Sequence, residues 1–122
     1  MTDYMILFPA DREDRWDGAT EEERQAVYET DYEFGRLLEQ RGGTMTGGAE
    51  LSTWKRAHAI RRGPNGTALV TDGPYAESAE QLSGFFLITI DDEKALLDAA
   101  QVLIRAHTAV EIRPIESQGD DE

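Results

Sequence analysis

Two short segments constrain this chain more than any other feature. Tyr4 to Phe8 reads Tyr-Met-Ile-Leu-Phe and Gly84 to Ile90 reads Gly-Phe-Phe-Leu-Ile-Thr-Ile, so each is apolar on both alternating faces of a strand. Strands of that kind must be covered from both sides. Only two helical patterns are present to do it. The first opens with Thr20-x-x-Glu23, a capping box in which the threonine and glutamate side chains satisfy each other's free backbone N–H groups. Glu21, Glu22 and Glu23 suit the dipole of its first turn, Val27, Phe34, Leu37 and Leu38 make a core stripe, and Gly42-Gly43 ends it. The second follows Asp91 or Asp92 as the cap and turns Leu96, Ala99, Ala100 and Leu103 inward.

Between these elements, Pro9 and the polar stretch Asp11 to Gly18 read as a solvated loop, and Thr44 to Leu51, with Gly47-Gly48 inside, as an irregular strand or loop. Thr53 to Arg62 alternates like a strand, Gly63-Pro64-Asn65-Gly66 is a turn, and Thr67 to Thr71 returns, which predicts a hairpin. Val110 to Ile115 is the last strand, and the acidic residues 117–122 are expected to be a disordered tail behind a single domain of residues 1–116. The order predicts an α+β sandwich, a mostly antiparallel sheet with two helices on one face. Two helices leave the other face bare. The cheapest cover for a chain this short is a second copy, so the expected state is a homodimer with the sheets facing each other.

Composition narrows the chemistry mainly by exclusion. The 122 residues allow one modest core, and the absence of cysteine removes disulfides, thiol catalysis and thiolate metal sites. With 12 bases against 25 acids, a net charge of −13, the chain is a poor partner for a phosphate backbone, so no nucleic acid is expected. No apolar run is long enough to span a bilayer and the start shows no leader pattern, from which a cytoplasmic protein without membrane association is expected. Phosphate-loop, GxSxG and dinucleotide patterns are absent, and two distant histidines give no metal-ligand spacing. No cofactor and no metal are expected.

Several residues remain as candidates. Asp72, ahead of Gly73-Pro74, reads either as the anchor of an Asx-turn or as a carboxylate at a strand end that works as a general base. Glu77 is either a loop anchor or a second acid. His58 stands among Lys55, Arg56, Arg61 and Arg62, either a charged edge hairpin or a positive pocket for a carboxylate or phenolate. His107 reads most simply as a partner for the dipole of the second helix. Tyr28 and Tyr32, one turn apart, border either the core or a cleft.

The segment Leu69-Val70-Thr71-Asp72-Gly73-Pro74-Tyr75-Ala76-Glu77 and its continuation to Gly84-Phe85-Phe86-Leu87-Ile88 resembles the signature of the YCII-related family in its DGPF-motif branch, with Tyr75 in place of the usual phenylalanine. The opening Tyr-Met-Ile-Leu strand, the Thr-Glu-Glu-Glu-Arg helix start and the closing Val110-Glu111-Ile112-Arg113-Pro114-Ile115 extend the likeness over nearly the whole chain. The resemblance implies a ferredoxin-like βαββαβ fold of the dimeric α/β barrel kind, in small bacterial homodimers frequently encoded beside extracytoplasmic-function sigma factors. One branch of the group is enzymatic in outline, with a His–Asp pair in a pocket beside the dimer interface. The position at which that branch carries histidine falls near Asp31 or Tyr32, and the first helix holds no histidine.

Three readings stand at this point. The first is a small-molecule-binding protein, cofactor-free if an enzyme, with Asp72 as acid or base and Tyr32, His58, Gly73, Pro74, Tyr75 and Glu77 about the ligand. The second is a regulatory partner of a sigma-factor-related protein, suited by its acidity to a basic surface. The third is a scaffold dimer with a purely structural loop. Fold alone does not choose among them.

Overall fold

Strand β1 (Thr2–Pro9) alternates as its residues require, with Tyr4, Ile6 and Phe8 buried and Met5 and Leu7 only partly covered. A computed structural model of the chain describes residues 1–9, 18–52, 54–73 and 82–116. Helix α1 (Glu21–Gln40) starts on the expected capping box: Thr20 Oγ1 accepts the Glu23 N–H at 3.0 Å and Glu23 Oε1 accepts the Thr20 N–H at 2.8 Å. Phe34 and Leu38 are fully buried and Leu37 packs half-buried against the core, whereas Val27, expected in the same stripe, lies half-buried outside the core cluster, on the wall of a cleft. The helix stops where Gly42 takes φ +84°, a conformation open to glycine, and the Gly43 N–H returns to the Leu38 carbonyl at 3.0 Å.

Strand β2 (Thr44–Glu50) pairs with β5 (Leu82–Ile90) through a register shift between Met45 and Gly47. The glycines there have a packing reason. A Cβ on Gly48, whose φ is +154°, would lie 2.6 Å from the Phe85 carbonyl oxygen. The expected strand from Thr53 is shorter than its alternation suggests. Thr53 itself lies outside the described residues, Trp54–Arg56 forms a 3-10 turn in which Arg56 Nη1 donates back to Ser52 Oγ at 3.3 Å, and β3 begins only at His58. β3 (His58–Arg62) and β4 (Ala68–Asp72) then make the expected hairpin, a separate two-stranded sheet.

Asp92, the second of the two candidate caps, accepts the N–H groups of Lys94 and Ala95 at the start of α2 (Glu93–Ala100), which tightens into a 3-10 turn over Gln101–Arg105. β6 (Glu111–Pro114) closes the chain's main sheet. The sheet has four strands in the order β2-β5-β1-β6, every neighbour antiparallel. With the hairpin set aside, that is the ferredoxin-like arrangement: two βαβ halves interleaved, helices on one face.

The core lies between that face and the helices. Tyr4, Ile6, Phe8, Ile88 and Ile90 from the sheet meet Phe34 and Leu38 of α1 and Leu96, Ala99, Ala100 and Leu103 of the second helical segment, as the two apolar stripes anticipated. The opposite face presents Met5 and Leu7 beside their partners Leu87 and Phe85, all partly exposed. Among the described residues nothing covers that patch fully.

Candidate functional site

A cleft of about 1260 Å³ opens at one end of the sheet beneath the first half of α1. Its walls are mostly apolar, with Phe8, Val27, Met45, Leu51 and Phe86, and its polar groups include Glu23, Thr30, Asp31, Ser83, Arg105, His107 and Thr108. The mixture matches what a small-molecule site needs, since apolar walls supply affinity and a few polar atoms fix orientation.

His107 is held there by local structure. The 3-10 turn ends with the N–H groups of Ala106 and His107 both donating to the Leu103 carbonyl, at 3.1 and 3.0 Å. This pins the backbone where the imidazole lies on the Phe8 ring, centroids 4.5 Å apart and planes tilted by 39°. Phe8 in turn meets Phe86 edge to face at 4.8 Å, and Phe86 stacks on Phe34 at 6.1 Å. A row of aromatic rings therefore runs from the buried core to the histidine. The ring is backed by the packed core.

Asp31 reaches it from α1. Its Oδ1 lies 3.0 Å from His107 Nε2, and the two side chains are only 26% and 20% exposed. An ionised carboxylate can only accept, so Nε2 carries the proton in this pair, and the lone pair of the neutral imidazole is left on Nδ1. That is the chemical arrangement of an oriented base. The carboxylate fixes the tautomer and would stabilise the imidazolium that forms when Nδ1 takes up a proton.

The charges around this pair belong to α1 and the 3-10 turn. Glu33, two positions from Asp31, is held below the usual carboxylate range chiefly by its hydrogen bond from Arg36, with the charges of Arg36 and Arg105 adding to the effect. Arg105, on the cleft wall, therefore brings a positive field to this part of the surface. Among the described residues, no group of three potential metal ligands converges.

The residues singled out from the sequence lie elsewhere. Asp72 closes the hairpin, where its Oδ1 is 3.2 Å from His58 Nδ1, and both side chains are largely in solvent at 96% and 68% exposure. Gly73 follows in the left-handed region, φ +97°, with its N–H on the Ala57 carbonyl at 2.7 Å. Neither Asp72, His58 nor Gly73 is among the described residues lining the cleft. Tyr32 is 76% exposed on the outer side of α1, whereas Tyr28, one turn earlier, is on the cleft wall. Pro74, Tyr75 and Glu77 fall outside the described residues, as does the far side of the expected Asx-turn.

Sequence reasoning passed over the pair that the fold assembles. His107 takes Asp31 as its partner and not the helix dipole alone. A signal was available: Val27, Asp31, Phe34 and Leu38 are spaced by four, three and four residues, so Asp31 interrupts the apolar stripe of α1 with an acid. Such a residue needs a polar partner across the interface.

A YCII-related domain matches residues 2–117 of the chain. The chain belongs to the YCII-related family. It is also similar to an uncharacterized protein of Rhizobium meliloti (strain 1021), 40% identical over 62 residues, a stretch that is 48% of this chain and 50% of that protein. The match thus spans about half the length of this curated relative. The position near Asp31 or Tyr32 at which one branch is expected to carry a histidine holds none, and the imidazole beside Asp31 is that of His107. Among the described residues no helix is long and apolar enough to cross a membrane.

Proposed function

We propose that this YCII-related protein, a member of the DGPF-motif branch, works in the cytoplasm as a homodimer that binds a small, largely apolar molecule in the cleft and moves a proton on it with His107. The observation that carries the reading is the hydrogen bond of 3.0 Å between Asp31 and His107 at the wall of an apolar cleft. Nδ1 of His107 takes a proton from an acidic C–H or O–H of the bound molecule, the ring becomes imidazolium, and Asp31 holds that charge until the proton is returned. Asp31 is a positioning residue in this scheme. A positioned acid–base group of this kind supplies roughly 10² to 10⁴ in rate. Asp72 serves the hairpin by pairing with His58, outside the reaction. The dimer uses the patch of Met5, Leu7, Phe85 and Leu87, the partly exposed face that two helices leave open.

The test is nuclear magnetic resonance of the imidazole nitrogens during titration with a set of planar aromatic ketones and carboxylates. The expected result is a His107 ring protonated on Nε2, whose Nδ1 signal shifts on addition of at least one compound, with the binding weakened about tenfold or more in His107→Ala. Compounds that bind without moving the His107 signals, or a titration in which only His58 responds, would overturn it. A set in which no compound binds, together with Nδ1 as the protonated nitrogen, would do the same.

A further inference from the structure

Among the described residues the strand ladders slip in two places. β5 carries one extra residue where the pairing passes from Phe8–Gly84 to Pro9–Leu82, and that residue is Ser83. β2 carries one where the pairing passes from Met45–Ile88 to Gly47–Leu87, and that residue is Thr46. Both extra residues line the cleft, and both are hydroxyl residues. A bulge disrupts the ladder and re-aims a side chain, and bulges recur beside functional sites. Two of them at one cleft supply hydroxyls from its sheet side.

The hydrogen bonds already made there fix what the polar atoms can still do. Ser83 Oγ donates its proton to the Phe8 carbonyl at 3.1 Å, with the Pro9 carbonyl at 3.4 Å, and Phe8 and Pro9 also line the cleft. Thr30 Oγ1 donates to the Ala26 carbonyl at 3.0 Å, and the Nε2 proton of His107 goes to Asp31. A hydroxyl whose proton is committed keeps only lone pairs to offer. Ser83, Thr30, Nδ1 of His107 and the carboxylates of Glu23, Asp31 and Glu50 are therefore acceptors, and the three acids outnumber Arg105 among the charged residues of the wall. We infer that the cleft selects its ligand by hydrogen-bond donors, taking an apolar molecule whose hydroxyl donates to Ser83 Oγ in preference to a carboxylate on the same frame. A carboxylate would set its lone pairs against those acceptors and its charge against the acids, whereas an ammonium would lose more hydration on entering mostly apolar walls than a hydroxyl does. Thr46, exposed on the edge strand β2, is the second contact. The selection rests on the cleft being the small-molecule site proposed above.

The test is a titration followed by the amide resonances of the cleft residues, with benzyl alcohol, benzyl methyl ether, benzylamine and phenylacetate as a matched set. The alcohol is expected to bind about tenfold tighter than the other three, the worth of one hydrogen bond. Ser83→Ala is expected to bring that preference below about threefold, and Ser83→Thr, which keeps the oxygen, to retain it. Thr46→Val, at an exposed edge position independent of the Phe8 carbonyl, is expected to lower the preference about threefold. An ether, amine or carboxylate that matches the alcohol, or a preference that survives in both Ser83→Ala and Thr46→Val, overturns the selection. If the alcohol fails to bind at millimolar concentration while a ketone or carboxylate moves the His107 signals, the selection is overturned and the proton-transfer reading stands. Absence of binding by every compound tried overturns both.

Discussion

The Asp31–His107 pair makes a prediction whose size follows from its setting. A hydrogen bond to a charged group contributes roughly 1.5–3 kcal/mol when well buried, whereas exposed ion pairs contribute below about 1 kcal/mol. Exposures of 26% and 20% place this pair between those limits. Its coupling is therefore expected near 1 kcal/mol. His107→Ala alone should cost more, about 2–3 kcal/mol, because the ring's contact with Phe8 at 4.5 Å is lost as well. Asp31→Ala should cost about 1 kcal/mol, since the imidazole it abandons keeps some access to water. The double variant should then fall short of the sum by the coupling energy.

The assay is equilibrium denaturation in urea of the four proteins at one fixed concentration, so that association contributes equally to each. For a chain of 122 residues, 1 kcal/mol corresponds to a shift of about 3–5 °C in Tm, which gives a second reading by calorimetry. Asp31→Asn separates geometry from charge, because the amide oxygen still accepts from Nε2. It should unfold within about 1 kcal/mol of the wild type while losing most of any turnover. A coupling below about 0.3 kcal/mol would refute the reasoning, since that is the scatter expected of residues that do not interact.

Three further outcomes test the frame around the site. Phe34→Ala, at a fully buried ring stacked on Phe86, should cost about 3–5 kcal/mol in denaturant unfolding and disturb the aromatic row behind His107. Gly48→Ala should destabilise by about 3 kcal/mol by the same measurement, because its Cβ would press on the Phe85 carbonyl of the central strand rather than on a movable side chain. Tyr4 has its phenol pushed above its ordinary value by burial and by its hydrogen bond of 3.2 Å to Glu93. The folded state thus retains the proton more tightly than the unfolded chain, so this contribution is intact below about pH 10 and is lost as pH rises above it. Tyr4→Phe should flatten that alkaline loss in a pH series of urea midpoints.

Local rules carried most of the fold, and particular residues show why. Thr20 and Glu23 form their capping box within four residues, and Asp92 caps α2 without help from afar, so neither needed the tertiary structure to be read. The double-faced strands likewise announced the two central positions of the sheet, which β1 and β5 occupy. Thr53 to Arg62 alternates like a strand, but Trp54–Arg56 is a 3-10 turn in which Arg56 bonds back to Ser52, so the apolar period is accidental there. The pair at the site lies 76 residues apart in sequence, and no local pattern joins its members. Only the acid at the apolar stripe of α1 gave half of it away.

The location of that pair also separates two roles that the sequence compresses into one motif. Asp72 and Gly73 end a hairpin that makes little contact with the helices, while Asp31 and His107 rest on α1, Phe8 and the aromatic row that leads into the core. Proton transfer needs groups held to a fraction of an ångström, which favours residues backed by packed rings over residues on a two-stranded arm. The proposed proton transfer therefore suits the core side of the cleft better than the hairpin. A motif that draws the eye by its glycine and proline need not be where bonds change.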